Sequence, residues 1–278
     1  MNPVLAGTRL VLKYGIRPIY GPPMPIGLQR ALGDVAGRAQ RPPRGVQVTD
    51  VVLGGRPARR YAPASAGLDG GVLWLHGGAF ITGSRYTHGS FAAHLALDSG
   101  LPVYLLDYRL APEHRHPAAV DDAVAALELV PEPRVVLGGD SAGGCLALLA
   151  AARTGRSLAG LALVSPLVDL THETARAYEG AEVLVRSDWA EQGVSAMFGD
   201  DLPEVPDPTV PTVVHVAEHE RLRPEGEALA GRVGAELVCV PGGWHDIHLQ
   251  ARLLPSARRA VRQLGASVRR FVEEEADA

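Results

Sequence analysis

The stretch Gly139-Asp140-Ser141-Ala142-Gly143-Gly144 follows directly on the apolar run Val135-Val136-Leu137 and opens a segment rich in alanine and leucine. The apolar run predicts a buried strand, and the segment after the serine predicts a helix. A turn between them that exposes a serine tolerates only small neighbours, which explains a glycine two residues either side of Ser141. The pattern therefore indicates a nucleophile elbow, with the Ser141 hydroxyl directed towards a substrate.

A second glycine-rich turn lies upstream of the elbow. His76-Gly77-Gly78-Ala79-Phe80 comes immediately after the strand-like run Val72-Leu73-Trp74-Leu75. Adjacent glycines allow neighbouring backbone N–H groups to converge on one point, as an oxyanion hole requires. Taken alone, the pattern is equally that of a glycine turn braced by a histidine. Together with the elbow, it favours an oxyanion hole formed by the amides of Gly77, Gly78 and Ala142.

A serine nucleophile needs a histidine base and a carboxylate that orients the histidine. In this pattern both follow the nucleophile, the carboxylate first, and each comes after a later strand. The strand-like run 212–217 leads into Glu218-His219-Glu220, and the run 236–240 leads into Gly242-Gly243-Trp244-His245-Asp246. Carboxylates and histidines are therefore present at both of the required places.

Strand-like and helical segments alternate along most of the chain. Apolar runs stand at 72–75, 103–106, 135–138, 161–164, 212–217 and 236–240. This alternation predicts an α/β fold, a largely parallel sheet flanked by helices. Residues 46–61 are typical of antiparallel strands at the start of the sheet. From Ala257 to Val272, apolar residues recur every three to four positions with arginines between them, which predicts an amphipathic last helix.

Further motifs give the chain a family resemblance. Asp107-Tyr108-Arg109-Leu110-Ala111-Pro112-Glu113, its continuation from His116 to Asp122, and Ser165-Pro166 with Asp169 resemble segments of the hormone-sensitive-lipase-like α/β-hydrolases, the bacterial type IV esterases. The resemblance runs from about residue 46 to the C-terminus. It implies the α/β-hydrolase fold, with a mostly parallel central sheet flanked by helices and a helical cap.

The resemblance also implies roles for individual residues. It makes Ser141 the nucleophile, His245 the general base and Glu220 the catalytic acid. It assigns the oxyanion donors to the three amides already named. Other ionisable residues of the same two loops remain alternatives: Glu218 and Asp246 for the acid, and His219 and His248 for the base.

In this family a helical cap covers the active site. The resemblance implies that residues 1–45 and an insertion at about 167–208 form this cap, over a catalytic domain of residues 46–278. Both segments interrupt the alternation of strands and helices. Because cap side chains such as Trp189 and Met197 are expected near the pocket, the preferred substrate depends on this part of the chain.

Two positions depart from the family pattern. Ala79 replaces the third glycine of the H-G-G-G motif, which the turn tolerates if φ is negative there. Glu220 stands where the family usually has aspartate, but a glutamate carboxylate also fixes the imidazole tautomer and stabilises the imidazolium.

Other polar residues near the motifs are interpreted as structural. Asp140 is expected to brace a loop. Arg109 is expected to form an ion pair with Glu113 that positions the oxyanion loop. Cys145, four residues after Ser141 on the predicted helix, is expected to be a small buried hydrophobe.

Composition excludes several classes of function. The 278 residues carry a net charge of −4, and their arginines are scattered, so the chain lacks the basic stripe typical of nucleic-acid binding. The sequence contains no run of about 18 apolar residues, so it does not predict membrane insertion. Arg9 interrupts the N-terminal apolar stretch. Two cysteines outside any cluster provide neither a disulfide framework nor a zinc signature. We therefore expect a cytoplasmic enzyme that needs no cofactor and no metal ion.

The sequence thus predicts a serine carboxylesterase that acts on a small-molecule ester through an acyl-enzyme, and the resemblance implies short to medium acyl chains. An amidase or arylformamidase would use the same triad, and a non-catalytic small-molecule receptor would use the same scaffold. A lipase acting on aggregated lipid ranks lower, because the N-terminal segment is the only candidate anchor. A homodimer formed through the edge strands or the last helix remains an alternative, which rests only on analogy with other proteins of this fold.

Overall fold

An eight-stranded sheet forms the centre of the computed structural model, which describes residues 3–64, 67–178, 180 and 182–277. Its strands are β1 (Val46–Leu53), β2 (Arg56–Pro63), β3 (Gly70–Leu75), β4 (Val103–Leu106), β5 (Arg134–Asp140), β6 (Gly160–Val164), β7 (Thr212–His219) and β8 (Glu236–Trp244). Their order across the sheet is β1-β2-β4-β3-β5-β6-β7-β8. β1, β2 and β4 pair antiparallel, and all other neighbours pair parallel. The predicted parallel sheet with an antiparallel start is confirmed.

Helices cover both faces of the sheet. They are α3 (Gly89–Ser99), α4 (Ala118–Leu127), α5 (Ala142–Ala151), α8 (Arg223–Val233) and α9 (Pro255–Asp277). Along β3, Leu73 and Leu75 pack into one hydrophobic cluster with α4, α5 and α8, whereas Val72 and Trp74 pack into another with α3 and α9. Burial on both faces explains why these strands are continuous apolar runs rather than alternating ones.

The predicted amphipathic last helix is α9. Val261, Leu264 and Val268 are buried against the sheet, while Arg259 and Arg262 are exposed. Neither this helix nor any other within the described ranges is both long enough and apolar enough to span a bilayer.

Two further groups of helices lie outside the sheet layers. The N-terminal group is α1 (Pro3–Val11), a π-helical turn (Leu12–Ile16), a 3₁₀ turn (Arg17–Ile19) and α2 (Ile26–Ala39), and the second group is α6 (Glu173–Arg176) and α7 (Ser187–Phe198). They contact each other through the rings of Tyr20 and Trp189, 5.1 Å apart, and through a 2.8 Å hydrogen bond from Arg186 to the Pro22 carbonyl. The segments predicted to form the cap are thus adjacent. Residues 1, 2, 179 and 181 of these segments lie outside the described residues.

Candidate active site

Ser141 occupies the turn between β5 and α5. Its backbone has φ 53° and ψ −122°, a conformation that residues other than glycine rarely adopt and that is typical of a nucleophile elbow. A Cβ atom at Gly139 would collide with the backbone of Gly143, and one at Gly143 would collide with the Leu75 carbonyl of β3. The glycines either side of the serine are therefore required by the close approach of strand and helix, as predicted.

A buried carboxylate holds the loop that follows β3. Asp140 accepts hydrogen bonds from Trp74 Nε1 (2.7 Å), Gly77 N (2.8 Å) and His88 Nε2 (3.0 Å). A buried aspartate needs such donors, so the expected bracing role of Asp140 agrees with the structure. Because the Gly77 amide is already paired, the structure contradicts the expectation that it donates to an oxyanion.

Three other amides near the elbow have no acceptor among the described residues: Gly78 N, Ala79 N and Ala142 N. All three residues line cavities that Ser141 also lines. Ala79 has φ 52°, so the condition of a negative φ is not met, and the alanine adopts the left-handed conformation that glycine favours. α7 packs directly on this residue, since a Cβ atom at Gly193 would collide with the Ala79 carbonyl. Tertiary packing therefore holds the alanine in this conformation.

Glu220 and His245 are brought together because each directly follows its strand, β7 and β8. Glu220 is fully buried, and its Oε2 lies 3.1 Å from His245 Nδ1. Its Oε1 accepts a 2.8 Å hydrogen bond from Ala217 N. A carboxylate in this place favours the tautomer with a proton on Nδ1, the tautomer in which Nε2 can act as a base. His245 lines the same cavity as Ser141.

The alternative residues lie elsewhere. Glu218 is exposed and accepts a 2.7 Å hydrogen bond from Gly242 N. His248 is buried, and its Nε2 lies 3.0 Å from His215 Nδ1. Neither Glu218, His219 nor His248 lines a cavity at Ser141. Their positions favour Glu220 and His245 over these three.

Asp246 places a second carboxylate on the same imidazole. It is buried, and its Oδ2 lies 3.2 Å from His245 Nε2, while its Oδ1 has no hydrogen-bond partner among the described residues. Within those residues no hydrogen bond joins Ser141 Oγ to His245. The sequence offers Asp246 only as an alternative acid, and its place next to His245 in the chain is the one signal for this contact.

His245 and Asp246 influence each other's protonation. Burial disfavours the imidazolium, but Asp246 and Glu220 outweigh that effect, so the pKa of His245 lies well above its ordinary value. Burial raises the pKa of Asp246 to about 6 against the attraction of His245, and the negative charge of Asp140 adds to the rise. Asp246 therefore stabilises the imidazolium at Nε2, the nitrogen that faces away from Glu220.

Two cavities meet at Ser141. The larger has a volume of about 380 Å³ and is lined by residues of both cap segments, among them Ile16, Leu32 and Trp189. The smaller has room for only about 20 Å³ and is lined by Phe80 and other apolar residues. The site therefore offers one larger and one smaller cavity next to the serine.

Ion pairs around the oxyanion loop differ from the expected one. Arg109 forms a bidentate ion pair with Asp122 of α4, with its closest contact at 2.7 Å. Glu113 instead pairs with Arg30 of α2 at 2.8 Å, and Arg30 also donates to the Ile81 carbonyl. The expected pair between Arg109 and Glu113 is therefore wrong, because the rigid guanidinium fork of Arg109 is matched by Asp122.

The two cysteines are free. Cys145 is buried in α5, as expected, and burial raises the pKa of its thiol. Cys239 is exposed on β8. No group of three or more histidine, cysteine or carboxylate side chains in the described part of the chain is arranged to hold a metal ion.

Several known proteins resemble this chain in sequence. A family model described as alpha/beta hydrolase fold matches residues 72–249. The chain is 35% identical to the esterase LipU of Mycobacterium tuberculosis, over 71% of this chain and 77% of that protein. It is 32% identical to the carboxylesterase/phospholipase LipF of the same organism, over 89% of this chain and 74% of that protein.

The likeness extends to solved structures. The crystal structure of an esterase from the bacterial hormone-sensitive lipase family has a TM-score of 0.86 to this chain at 27% identity. The match covers 98% of this chain and 99% of that one. The similarity thus includes the cap segments as well as the sheet.

Proposed function

Because this chain belongs to the hormone-sensitive-lipase-like α/β-hydrolases and is a carboxylic ester hydrolase, we propose that it cleaves short- to medium-chain esters through Ser141, His245 and Glu220. The observation that carries this proposal is the 3.1 Å contact between Glu220 Oε2 and His245 Nδ1, at the cavity that Ser141 lines. A serine on an elbow, a histidine base and an orienting carboxylate are the groups that acyl transfer requires.

In the first half of the reaction, Ser141 Oγ attacks the ester carbonyl carbon while His245 Nε2 takes the serine proton. For this step Nε2 turns from Asp246 to Ser141. The oxyanion that forms is bound by the free amides next to the elbow, which include Gly78 N and Ala142 N, and each donor lowers the barrier by about 3 kcal/mol. The imidazolium then gives its proton to the alcohol oxygen, the ester C–O bond breaks, and an acyl-enzyme remains.

In the second half, a water molecule attacks the acyl carbon while His245 takes a proton from that water. Collapse of the second tetrahedral intermediate returns that proton to Ser141 Oγ and releases the carboxylic acid. Glu220 takes no proton from His245 in either half, and it stabilises the imidazolium from the Nδ1 side.

The cavities support a preference for small acyl groups. We expect p-nitrophenyl acetate and butyrate to exceed the decanoate in kcat/KM by at least about tenfold, because the two cavities at Ser141 have room for only about 20 Å³ and about 380 Å³. A phosphonate ester should label Ser141, and mass spectrometry of the modified peptide would detect the label.

For the hydrolysis measurement, the matched control substrate is p-nitroacetanilide. Faster cleavage of the anilide would identify an amidase, and turnover of neither substrate would contradict an esterase.

The second carboxylate on His245 leads to a pH prediction. We expect Asp246→Asn to move the acid limb of the kcat/KM profile down by about 1 to 3 pH units. The amide is isosteric but uncharged, so only Glu220 then stabilises the imidazolium, and His245 becomes the neutral base at lower pH. The measurement is the pH profile with p-nitrophenyl acetate. Glu218→Gln, which removes an exposed carboxylate, should leave the limb in place, and an unmoved limb in Asp246→Asn would refute the role given to Asp246.

A further inference from the structure

The N-terminal segment differs in charge from the rest of the chain. Seven of the eight charged residues in 1–45 are basic, although the whole chain carries a net charge of −4. Within the described ranges, Lys13, Arg41 and Arg44 form no ion pair with a carboxylate. The segment therefore presents positive charge on a protein that is otherwise acidic, which favours contact with an anionic surface.

The same segment exposes large apolar side chains. Seven of the twelve exposed ones among the described residues lie between residues 4 and 35. On α2, Leu28, Leu32 and Val35 recur at helical spacing and form one exposed stripe. Leu10, Val11 and Tyr14 are exposed on α1 and the turn that follows it. Such clustering on one segment is unusual for a surface that faces only water.

Other residues of the same elements line the larger cavity. Leu12 and Ile16 line it from the π-helical turn, and Leu32 and Ala36 line it from α2. Leu32 both lines the cavity and is exposed, so it stands at the opening. The remaining exposed apolar residues therefore lie in the same two segments of chain as the residues that line the cavity. We call the surface formed by the exposed residues 4–44 the basic apolar rim.

We propose that the basic apolar rim docks this protein on anionic lipid surfaces, with the cavity entrance facing the lipid. Apolar side chains enter the boundary between headgroups and acyl chains, and basic side chains at the same level contact anionic headgroups. A second copy of this chain fits less well, because a two-fold contact would bring the basic segment against itself. Docking needs no ester cleavage, and it is therefore tested independently of the proposed function.

The test is cosedimentation of the Ser141→Ala protein with vesicles of phosphatidylcholine alone or mixed with phosphatidylglycerol. We expect at least about tenfold tighter partitioning to the anionic vesicles, and a large loss of binding at high salt. Equal partitioning to both vesicles would overturn the proposal.

Charge reversal locates the surface. Arg41→Glu with Arg44→Glu, two exposed arginines of the rim, should weaken partitioning to anionic vesicles by at least about tenfold, since each basic residue contributes about fivefold near such a surface. The matched control is Arg259→Glu with Arg262→Glu, two exposed arginines on α9, which should bind as before. Equal weakening in both variants would mean that only net charge matters and would overturn the assignment to this surface.

Apolar truncation separates insertion from simple charge attraction. Val11→Ser with Tyr14→Ser should weaken partitioning by about tenfold without changing the charge, because buried apolar area drives insertion. Val52→Ser with Leu129→Ser, also exposed, should have no effect. When the same two double variants are made with Ser141 intact, their rate of p-nitrophenyl acetate hydrolysis should be unchanged, which checks the fold. A concentration-dependent dimer that Val11→Ser with Tyr14→Ser dissociates would identify a second copy as the occupant and refute lipid docking.

Discussion

Ser141→Ala is expected to lower the kcat for p-nitrophenyl acetate by about four to six orders of magnitude. The alanine removes the only hydroxyl presented by the elbow, so no acyl-enzyme forms and the histidine and carboxylate have no nucleophile to activate. The residual rate would reflect the free amides and binding alone. The measurement is steady-state hydrolysis, with folding checked by circular dichroism.

The control for this variant is Ser195→Ala, an exposed serine on α7. It should retain the full rate, since the residue lines neither cavity at Ser141. A folded Ser141→Ala protein that kept even one hundredth of the rate would show that another group attacks the ester. The assignment of the elbow as nucleophile would then be wrong.

Glu220→Gln is expected to lower kcat by about 10⁴. Glutamine keeps the size of glutamate and retains an oxygen for the Ala217 amide, but its NH₂ group would face His245 Nδ1. That arrangement favours the tautomer with the proton on Nε2, which cannot accept the proton of Ser141. The variant also loses the charge that stabilises the imidazolium. The loss should fall on kcat, with KM little changed, because it concerns the transition state.

Glu218→Gln is the matched control for Glu220→Gln. Glu218 lies two residues earlier and is the alternative acid from the same loop, but its carboxylate is at the surface, on Gly242 N. We expect less than a twofold effect on kcat. An equal loss in the two variants would contradict the choice of Glu220, and an active Glu220→Gln protein would point to Asp246 as the orienting carboxylate.

Local patterns predicted the strands and the turn at the nucleophile. Continuous apolar runs gave the parallel strands, because a strand buried on both faces has no polar side. Glycine at 139 and 143 gave the elbow, because the contact of strand and helix leaves no space for a Cβ atom. The order of Ser141, Glu220 and His245 predicted their meeting, since the carboxyl ends of parallel strands share one edge of the sheet.

Pairings between distant residues were not predictable in the same way. Gly77 and Asp140 are 63 positions apart, and nothing local indicates that this amide is already used. Arg109 pairs with Asp122 rather than with Glu113, although both carboxylates are close in sequence. Hydrogen bonds and ion pairs of this kind depend on the distances left after the core has packed, to within about 1 Å.

The sequence by itself therefore determined the fold, the elbow and the residue types of the candidate triad. Only the tertiary structure decided which amides stay free, that Asp246 lies on Nε2 of His245, and that the two cavities at Ser141 have volumes of about 380 Å³ and about 20 Å³. The physical reason is the separation along the chain of the residues that interact. Steric and hydrophobic patterns act between neighbours in the chain, whereas cavities and hydrogen-bond partners arise where several separate segments meet.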